Sequence, residues 1–133
     1  MITVSEHDSV AMAAAKLRDA HVGCVVVTRG THPVGIVTDR DLAVRVVAEG
    51  RDPWRTLVSD IVTYDPFVVA VTDGIETALR RMREHGVRRM PIVDESGGVV
   101  GMVTADDLVL LVGREISDLC DGIQRGADAT DSR

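Results

Sequence analysis

The stretches PVGIVTDRDL (residues 33–42) and VVGMVTADDL (residues 99–108) decide the fold, because one motif occurs twice in a single chain. The segments before them also align, with SEHDSVAMAAAKLRDAHV (5–22) lying over AVTDGIETALRRMREHGV (70–87). Self-similarity at a fixed spacing is the signature of a repeated structural unit. The 133 residues therefore read as two copies of one β/α unit.

Each copy predicts the element order strand, helix, strand, strand, helix. Val10, Ala14 and Leu17 follow the spacing of an amphipathic helix, and the aligned residues of the second copy repeat it. Two short apolar runs joined by a turn-rich loop, RGTHP or DESGG, then predict a β-hairpin. The fold class is α+β, with two tandem β-α-β-β-α repeats packed through their sheets in pseudo-two-fold symmetry.

Repeat boundaries follow from the same alignment. We expect the first repeat over residues 1–57, including a connecting segment at 50–57, and the second over 58–122. Short strands at Ile2–Val4 and Phe67–Val71 open the two copies, and a short helix lies between residues 50 and 66. The polar residues 123–133 predict a flexible tail.

Composition argues against several function classes. A net charge of −6 disfavours non-specific binding to nucleic acids and to anionic membranes. No apolar run approaches the ~20 residues that span a bilayer, so we expect a cytoplasmic protein.

The two cysteines, Cys24 and Cys120, have neither the spacing of a disulfide framework nor that of a metal site. They read as reduced thiols, with a redox-linked disulfide as the alternative, and we expect no metal site.

The ends of the two copies, GIVTDRDL and GMVTADDL, resemble the cystathionine-β-synthase-like (CBS) domain, and the chain resembles a stand-alone tandem CBS pair over roughly residues 2–112. The resemblance implies that AMP, ADP, ATP, NAD or S-adenosylmethionine binds in clefts between the repeats as a regulatory ligand. It also implies a flat dimer that regulates another protein without chemistry of its own. No nucleophile–base pair, metal-ligand cluster or Walker-type loop is evident, so we expect no catalytic residues and no required cofactor.

Two Thr–Asp pairs, Thr38 with Asp41 and Thr104 with Asp107, each begin a predicted helix. One interpretation is a capping box, which satisfies free backbone N–H groups. The other is a binding site, in which the Thr hydroxyl and the helix N-terminus meet a phosphate and the Asp accepts from ribose hydroxyls. The resemblance implies the binding roles.

The two clefts are expected to differ. Arg40 is placed to face a phosphate at the first, whereas Asp106 occupies the aligned position at the second, where a carboxylate is unfavourable. The segment VSDIVTYDP, a wall of the base pocket by family resemblance, precedes only the second repeat. Either the first wall is missing, or another chain supplies it, or the sequence begins late.

The base pocket is assigned by family position. Its candidate residues are Asp65, Pro66, Phe67, Met90 and Pro91 in the second repeat, and Ile2, Cys24 and Val25 in the first. Phe67 or Tyr64 could stack on a base, the alternative being that Phe67 is plain core. Because strand side chains alternate, only one of Arg88 and Arg89 should face a given cleft, where it would bind an anionic group. The alternative is that both are solvated.

The run LVLLV (108–112) is apolar all round its predicted helix, which indicates burial by a partner. We expect a homodimer through helices near Leu42–Val47 and Leu108–Val112, acting on an unidentified regulated protein. The predicted function is a non-catalytic module that binds an adenosine-type ligand. The alternative is a ligand-free dimeric scaffold or stress-response protein with empty clefts.

Overall fold

The computed structural model describes residues 2–131, and the first repeat has the predicted order of elements. It contains β1 (Thr3–Ser5), α1 (Val10–Ala20), β2 (Cys24–Arg29), β3 (His32–Thr38) and α2 (Asp39–Leu42), which continues as a π-helical turn over Ala43–Val47. The connecting segment adds α3 (Val58–Ile61) and β4 (Thr63–Tyr64). A short helix in this segment was expected, but the strand β4 was not.

The second repeat follows the same order. It contains β5 (Val69–Ala70), α4 (Ile75–His85), β6 (Arg89–Val93), β7 (Val99–Thr104) and α5 (Ala105–Asp131). The opening strand is two residues long, shorter than the predicted span of Phe67–Val71. The α+β class with two paired repeats is thereby confirmed, since each repeat contributes its own sheet and helices.

Each sheet combines one parallel and at least one antiparallel pairing. The first has the order β1-β2-β3-β4, in which β1 and β2 are parallel and the hairpin β2–β3 is antiparallel. The second has the order β5-β6-β7 with the same two kinds of pairing. The extra strand β4 pairs antiparallel with β3, which makes the first sheet one strand wider.

The connecting segment belongs structurally to the first repeat. Val58 and Ile61 are buried in the same apolar core as Val10, Leu17 and Val37. The second core is separate and centres on Met82 and the fully buried Met90. The buried residues of α3 therefore pack into the first core, and the pairing of β4 with β3 attaches residues 63–64 to the first sheet.

The hairpin tips of the two repeats contact each other directly. The backbone N–H of Val99 donates to the Thr31 carbonyl at 2.8 Å, and His32 Nε2 lies 3.0 Å from the Ser96 carbonyl oxygen. This contact fixes the orientation of one sheet relative to the other. It therefore helps to position the cleft that opens between them.

The C-terminal segment is helical in the described residues, where α5 continues through Asp131. Ile116, Leu119 and Ile123 continue the helical apolar spacing beyond the run at 108–112, so the pattern favours one long helix. All three side chains are exposed. No helix in the described part of the chain is both long and apolar enough to cross a membrane.

Gly35 permits the pairing of β3 with β4. A Cβ added at this residue would lie 2.4 Å from Val62 Cγ2 and 2.9 Å from the Thr63 carbonyl oxygen, closer than real Cβ atoms approach. The aligned glycine of the second repeat, Gly101, has nothing nearer than Ile92 Cδ1 at 3.5 Å. Only the first repeat needs a bare Cα at this position, because only it carries a fourth strand.

Gly35→Ala should therefore lower the free energy of unfolding by about 1–3 kcal/mol, the usual cost of an overpacked position. Gly101→Ala is the matched control, because its new methyl group meets only ordinary van der Waals contact and should change stability by less than about 1 kcal/mol. Urea unfolding followed by circular dichroism measures both. Equal effects of the two substitutions would show that β4 does not depend on Gly35.

Candidate ligand-binding site

A cavity of about 300 Å³ opens between the two repeats. Its lining comes from three places: the end of β3 with the start of α2, the segment around β4, and the start of β6. The lining residues are Ile36, Thr38, Asp41, Thr63, Tyr64, Asp65, Pro66, Phe67, Val87, Arg88 and Arg89. Its volume lies at the lower end of the range for small-molecule sites.

Thr38 and Asp41 form a complete capping box at the floor of this cavity. The Asp41 backbone N–H donates to Thr38 Oγ1 at 3.1 Å, and the Thr38 backbone N–H donates to Asp41 Oδ2 at 2.9 Å. These bonds fix both side chains. They leave the Thr38 hydroxyl proton and the second Asp41 oxygen, Oδ1, as polar groups that can meet a ligand.

The cavity wall at residues 63–67 stands opposite Thr38 and Asp41, which corrects the predicted assignment. The family positions placed Asp65, Pro66 and Phe67 with the second motif and left the first without a wall. In the structure, pairing of β4 with β3 carries these residues over the first motif instead. The first cleft is therefore walled from within the chain.

Phe67 is half-exposed and lines the cavity, so it is not plain core. Its ring is stacked on the imidazole of His85, with centroids 3.8 Å apart and an interplanar angle of 7°. His85 ends α4, so the second repeat orients the aromatic side chain of the wall. One face of the Phe67 ring is held by this stack.

Tyr64 is fixed by a polar cluster with Glu6 and Arg29, which lie at the ends of β1 and β2. Its hydroxyl donates to Glu6 Oε1 at 2.7 Å, and the Arg29 guanidinium donates to both Glu6 oxygens at 3.0 Å. The Arg29 and Tyr64 hydrogen bonds lower the pKa of Glu6. The same carboxylate raises the pKa of Tyr64, because it accepts the phenol hydrogen bond and its charge disfavours a phenolate.

Arg88 and Arg89 both line the cavity, whereas strand alternation predicted only one of them. Strand β6 begins at Arg89, so Arg88 lies before the strand and the alternation rule does not cover it. Arg88 also donates to Asp106 Oδ1 at 3.0 Å, and both side chains of this pair are largely exposed. Both arginines therefore contribute to the lining, while the Arg88 guanidinium pairs with Asp106 and Arg89 Nη2 lies near Gly23 and the Asp39 carboxylate.

Eight predicted site residues do not line this cavity: Val25, Arg40, Met90 and Pro91, and also Ile2, Cys24, Thr104 and Asp107. Val25 and Met90 belong to the two apolar cores, and Pro91, on the opposite face of β6 from Met90, is also fully buried. Arg40 is exposed and does not line the cavity. It lies next to Asp39 near the beginning of α2, where its side chain is directed to the surface rather than toward Thr38.

The second Thr–Asp motif differs from the first. The Asp107 backbone N–H donates to Thr104 Oγ1 at 3.1 Å, which caps the start of α5, but Asp107 itself is exposed. The cavity that corresponds by repeat position has about 270 Å³ and is lined by Ile2, Ala20, Val22, Cys24, Val26 and Met102. It is apolar, and neither Thr104 nor Asp107 lines it.

Cys24 is a half-buried free thiol in this second cavity, and burial raises the pKa of its sulfhydryl. Cys120 is also free and lies exposed on α5. No group of three or more His, Cys, Asp or Glu side chains within the described residues is placed to hold a metal ion.

Sequence reasoning missed Ile36, Thr63 and Val87 as cavity residues. Ile36 and Val87 are aligned with Met102 and Val22, which line the corresponding second cavity. The repeat alignment therefore pairs the lining residues of the two cavities. Thr63 has no aligned partner among the described residues. Only the pairing of β4 with β3 brings it to the site.

Each of the two repeats matches the same known protein family. The family model described as CBS domain matches residues 1–48 and 58–114, one match for each repeat. The chain belongs to the CBS domain family. Both matches include the Thr–Asp motifs at the beginning of α2 and α5.

Relatives share this CBS pair over most of the chain. An uncharacterized protein of Methanopyrus kandleri is 34% identical over 110 residues, which cover 82% of this chain and 56% of that protein. A solved protein with CBS domains from Burkholderia ambifaria superposes with a TM-score of 0.75 at 31% identity, covering 84% of this chain and 82% of the other. The chain thus spans little more than half the length of the first of these relatives.

A third relative is a CBS domain protein from Pyrobaculum aerophilum complexed with AMP. It has a TM-score of 0.72 and 28% identity, and the match covers 80% of this chain and 81% of that one. The paired CBS fold of this chain therefore occurs in a protein with a bound adenine nucleotide.

The polar cluster behind the CBS cavity wall can be tested by titration. The chain contains one tyrosine, so phenolate absorbance reports Tyr64 alone. Tyr64 should ionise above the usual phenol pKa, and Glu6→Gln should move its pKa down toward that value, because the amide carries no charge. The hydrogen bond to Glu6 should be lost as pH rises through the folded pKa of Tyr64.

The Glu6 contribution to stability has the opposite pH dependence. Its folded pKa is lowered, so the contribution is present at neutral pH and is lost as pH falls below the usual glutamate range. The stability difference between wild type and Glu6→Gln should accordingly shrink in acid. An unchanged Tyr64 titration in Glu6→Gln would contradict the described cluster.

Proposed function

We propose that this chain is a non-catalytic regulatory module that binds an adenosine-containing ligand of the AMP, ADP, ATP, NAD or S-adenosylmethionine class and signals its presence to a partner protein. The observation that carries the proposal is the single cavity in which Thr38 and Asp41 of the first repeat meet Arg88 and Arg89 of the second. A ligand bound there contacts both repeats and can alter how they fit together.

The lining divides into parts that match the three parts of a nucleotide. Ile36, Phe67 and Val87 supply apolar surface for a base. The Asp41 carboxylate is an acceptor and suits the paired hydroxyls of a ribose. The hydroxyl of Thr38 and the two guanidinium groups suit an anionic phosphate. For S-adenosylmethionine, the same cations would meet the carboxylate.

The ion pair between Arg88 and Asp106 is compatible with ligand binding. Both side chains are more than three-quarters exposed, so the pair contributes little to stability. A phosphate in the cavity can therefore replace Asp106 as the partner of Arg88 at small cost. Release of Asp106, which lies in the first turn of α5, connects the cavity to that helix.

The solved AMP complex of the Pyrobaculum aerophilum relative supports this ligand class. We assign the nucleotide to the first cleft, because the second cavity is apolar and lacks its Thr–Asp pair. The alternative from the sequence, a scaffold with empty clefts, would be shown by a chain that binds none of these ligands.

Two matched substitutions test the assignment. Thr38→Ala and Thr104→Ala each remove the hydroxyl that caps a helix, so both should cost about 1 kcal/mol of stability. Only Thr38→Ala should weaken AMP binding, by about tenfold, because only Thr38 lines the cleft. Isothermal titration calorimetry with AMP, ATP, NAD and S-adenosylmethionine, together with urea unfolding, measures both quantities.

The expected stoichiometry is one ligand per chain. Loss of binding in Thr104→Ala with retention in Thr38→Ala would place the ligand near the second motif and contradict the assignment to the first cleft. Failure of wild type to bind every one of the four ligands would reject the proposed function and favour the scaffold.

We also propose that two copies of the chain pair through their exposed helix faces. Val44 and Val47 on the π-helical turn are 50% and 76% exposed, and Val109 and Leu110 on α5 are 66% and 61% exposed. Within the predicted sets, Val46 and Leu108 instead face their own cores. The run 108–112 therefore has one inward side and one uncovered apolar side, which a second copy would bury.

Charges placed on this face should separate the copies. Wild type should sediment at twice the chain mass of 14.3 kDa, and the double variant Val47→Asp with Leu110→Asp should sediment as a single chain, because a carboxylate is costly in an apolar contact. Val100→Asp is the control, since Val100 is 52% exposed but lies on β7. A wild type that sediments as one chain, or a control that also dissociates, would contradict this pairing.

A further inference from the structure

We infer that Arg45 is a positioning residue of the first cleft, and this inference rests on the proposed function. Arg45 lies on the π-helical turn that follows α2 and is not itself part of the cavity lining. Its guanidinium instead contacts two groups that define the cavity, one on the floor and one on the wall. Neither family position nor sequence spacing pointed to it.

The contact with the wall is made by one nitrogen. Arg45 Nη1 donates to the Ile61 carbonyl oxygen at 2.6 Å and to Thr63 Oγ1 at 3.1 Å. These bonds hold the end of α3 and the beginning of β4, the point at which the chain turns into the cavity wall. Because β4 is only two residues long, its pairing with β3 gains substantially from this second attachment.

The contact with the floor is made by the other nitrogen. Arg45 Nη2 lies 3.8 Å from Asp41 Oδ1, the carboxylate oxygen that the capping box does not use. The guanidinium therefore sets the direction of this oxygen and offsets part of the negative charge that a nearby phosphate would meet. One side chain thus connects Asp41 on the floor of the cleft with Thr63 on its wall.

The second repeat has no equivalent of this arrangement. The residue aligned with Arg45 is Leu111, an apolar side chain that lies exposed on α5. The π-helical turn is likewise confined to the first repeat among these residues, and such turns often occur at functional sites. Arg45 therefore distinguishes the first cleft from the second.

Two substitutions separate the roles of the guanidinium. Arg45→Met removes its charge and its donors and should weaken AMP binding about tenfold by calorimetry. Arg45→Lys keeps the positive charge near Asp41 but lacks the planar guanidinium that reaches Ile61 and Thr63. The AMP affinity of this variant should therefore lie between those of wild type and Arg45→Met. Arg18→Met is the control, because Arg18 is 75% exposed and pairs only with its neighbour Asp19.

Amide hydrogen exchange provides a readout that needs no ligand. In Arg45→Met, the amides of residues 63–65 should exchange about tenfold faster, while those of the β6–β7 hairpin stay unchanged. Wild-type AMP affinity in Arg45→Met, or unchanged exchange at residues 63–65, would overturn the inference. If wild type binds no adenosine ligand, the proposed function fails, and faster exchange would then support only the wall-holding contact.

Discussion

The close approach of β4 to the bare Cα of Gly35 is the contact on which the rest of the site depends. A methyl group there would overlap Val62, so any other residue would push the connecting segment away from β3. With the contact made, residues 63–67 lie over the capped start of α2 and close the cleft between the repeats. The close contact at Gly35, which the aligned Gly101 does not make, therefore distinguishes the first cavity from the second.

The two interpretations of the Thr–Asp pair turn out to describe compatible uses of the same atoms. The capping box uses Thr38 Oγ1 as an acceptor and Asp41 Oδ2 as an acceptor, and it leaves the hydroxyl proton and Oδ1 available. A cap stabilises by about 0.5–2 kcal/mol, which is enough to hold both side chains in one geometry before any ligand arrives. Preorganisation of this kind lowers the cost of binding because little freedom remains to be lost.

Much of the fold followed from the sequence, because the repeat fixed the order of elements and each helix carried its own apolar spacing. The position of β4 could not be predicted, because a strand of two residues is too short to show an alternating pattern that would indicate its partner strand. Because β4 was not predicted, Asp65, Pro66 and Phe67 were assigned to the second Thr–Asp motif, whereas they line the cavity with the first. Family position placed Met90 at the ligand, yet inward strand residues of this hairpin form the core, and local sequence does not distinguish the two faces.

The asymmetry between the clefts resides in charge as well as in shape. The first cavity gathers Arg88 and Arg89 beside Thr38, whereas the second presents only apolar side chains and the thiol of Cys24. With a net charge of −6, the chain repels anions at long range, so an anionic ligand depends on cations concentrated at one place. Both of these cations come from the second repeat, while the polar floor comes from the first. Under the proposed function, an anion bound here would contact both repeats, so its affinity would depend on how the two repeats are placed relative to each other.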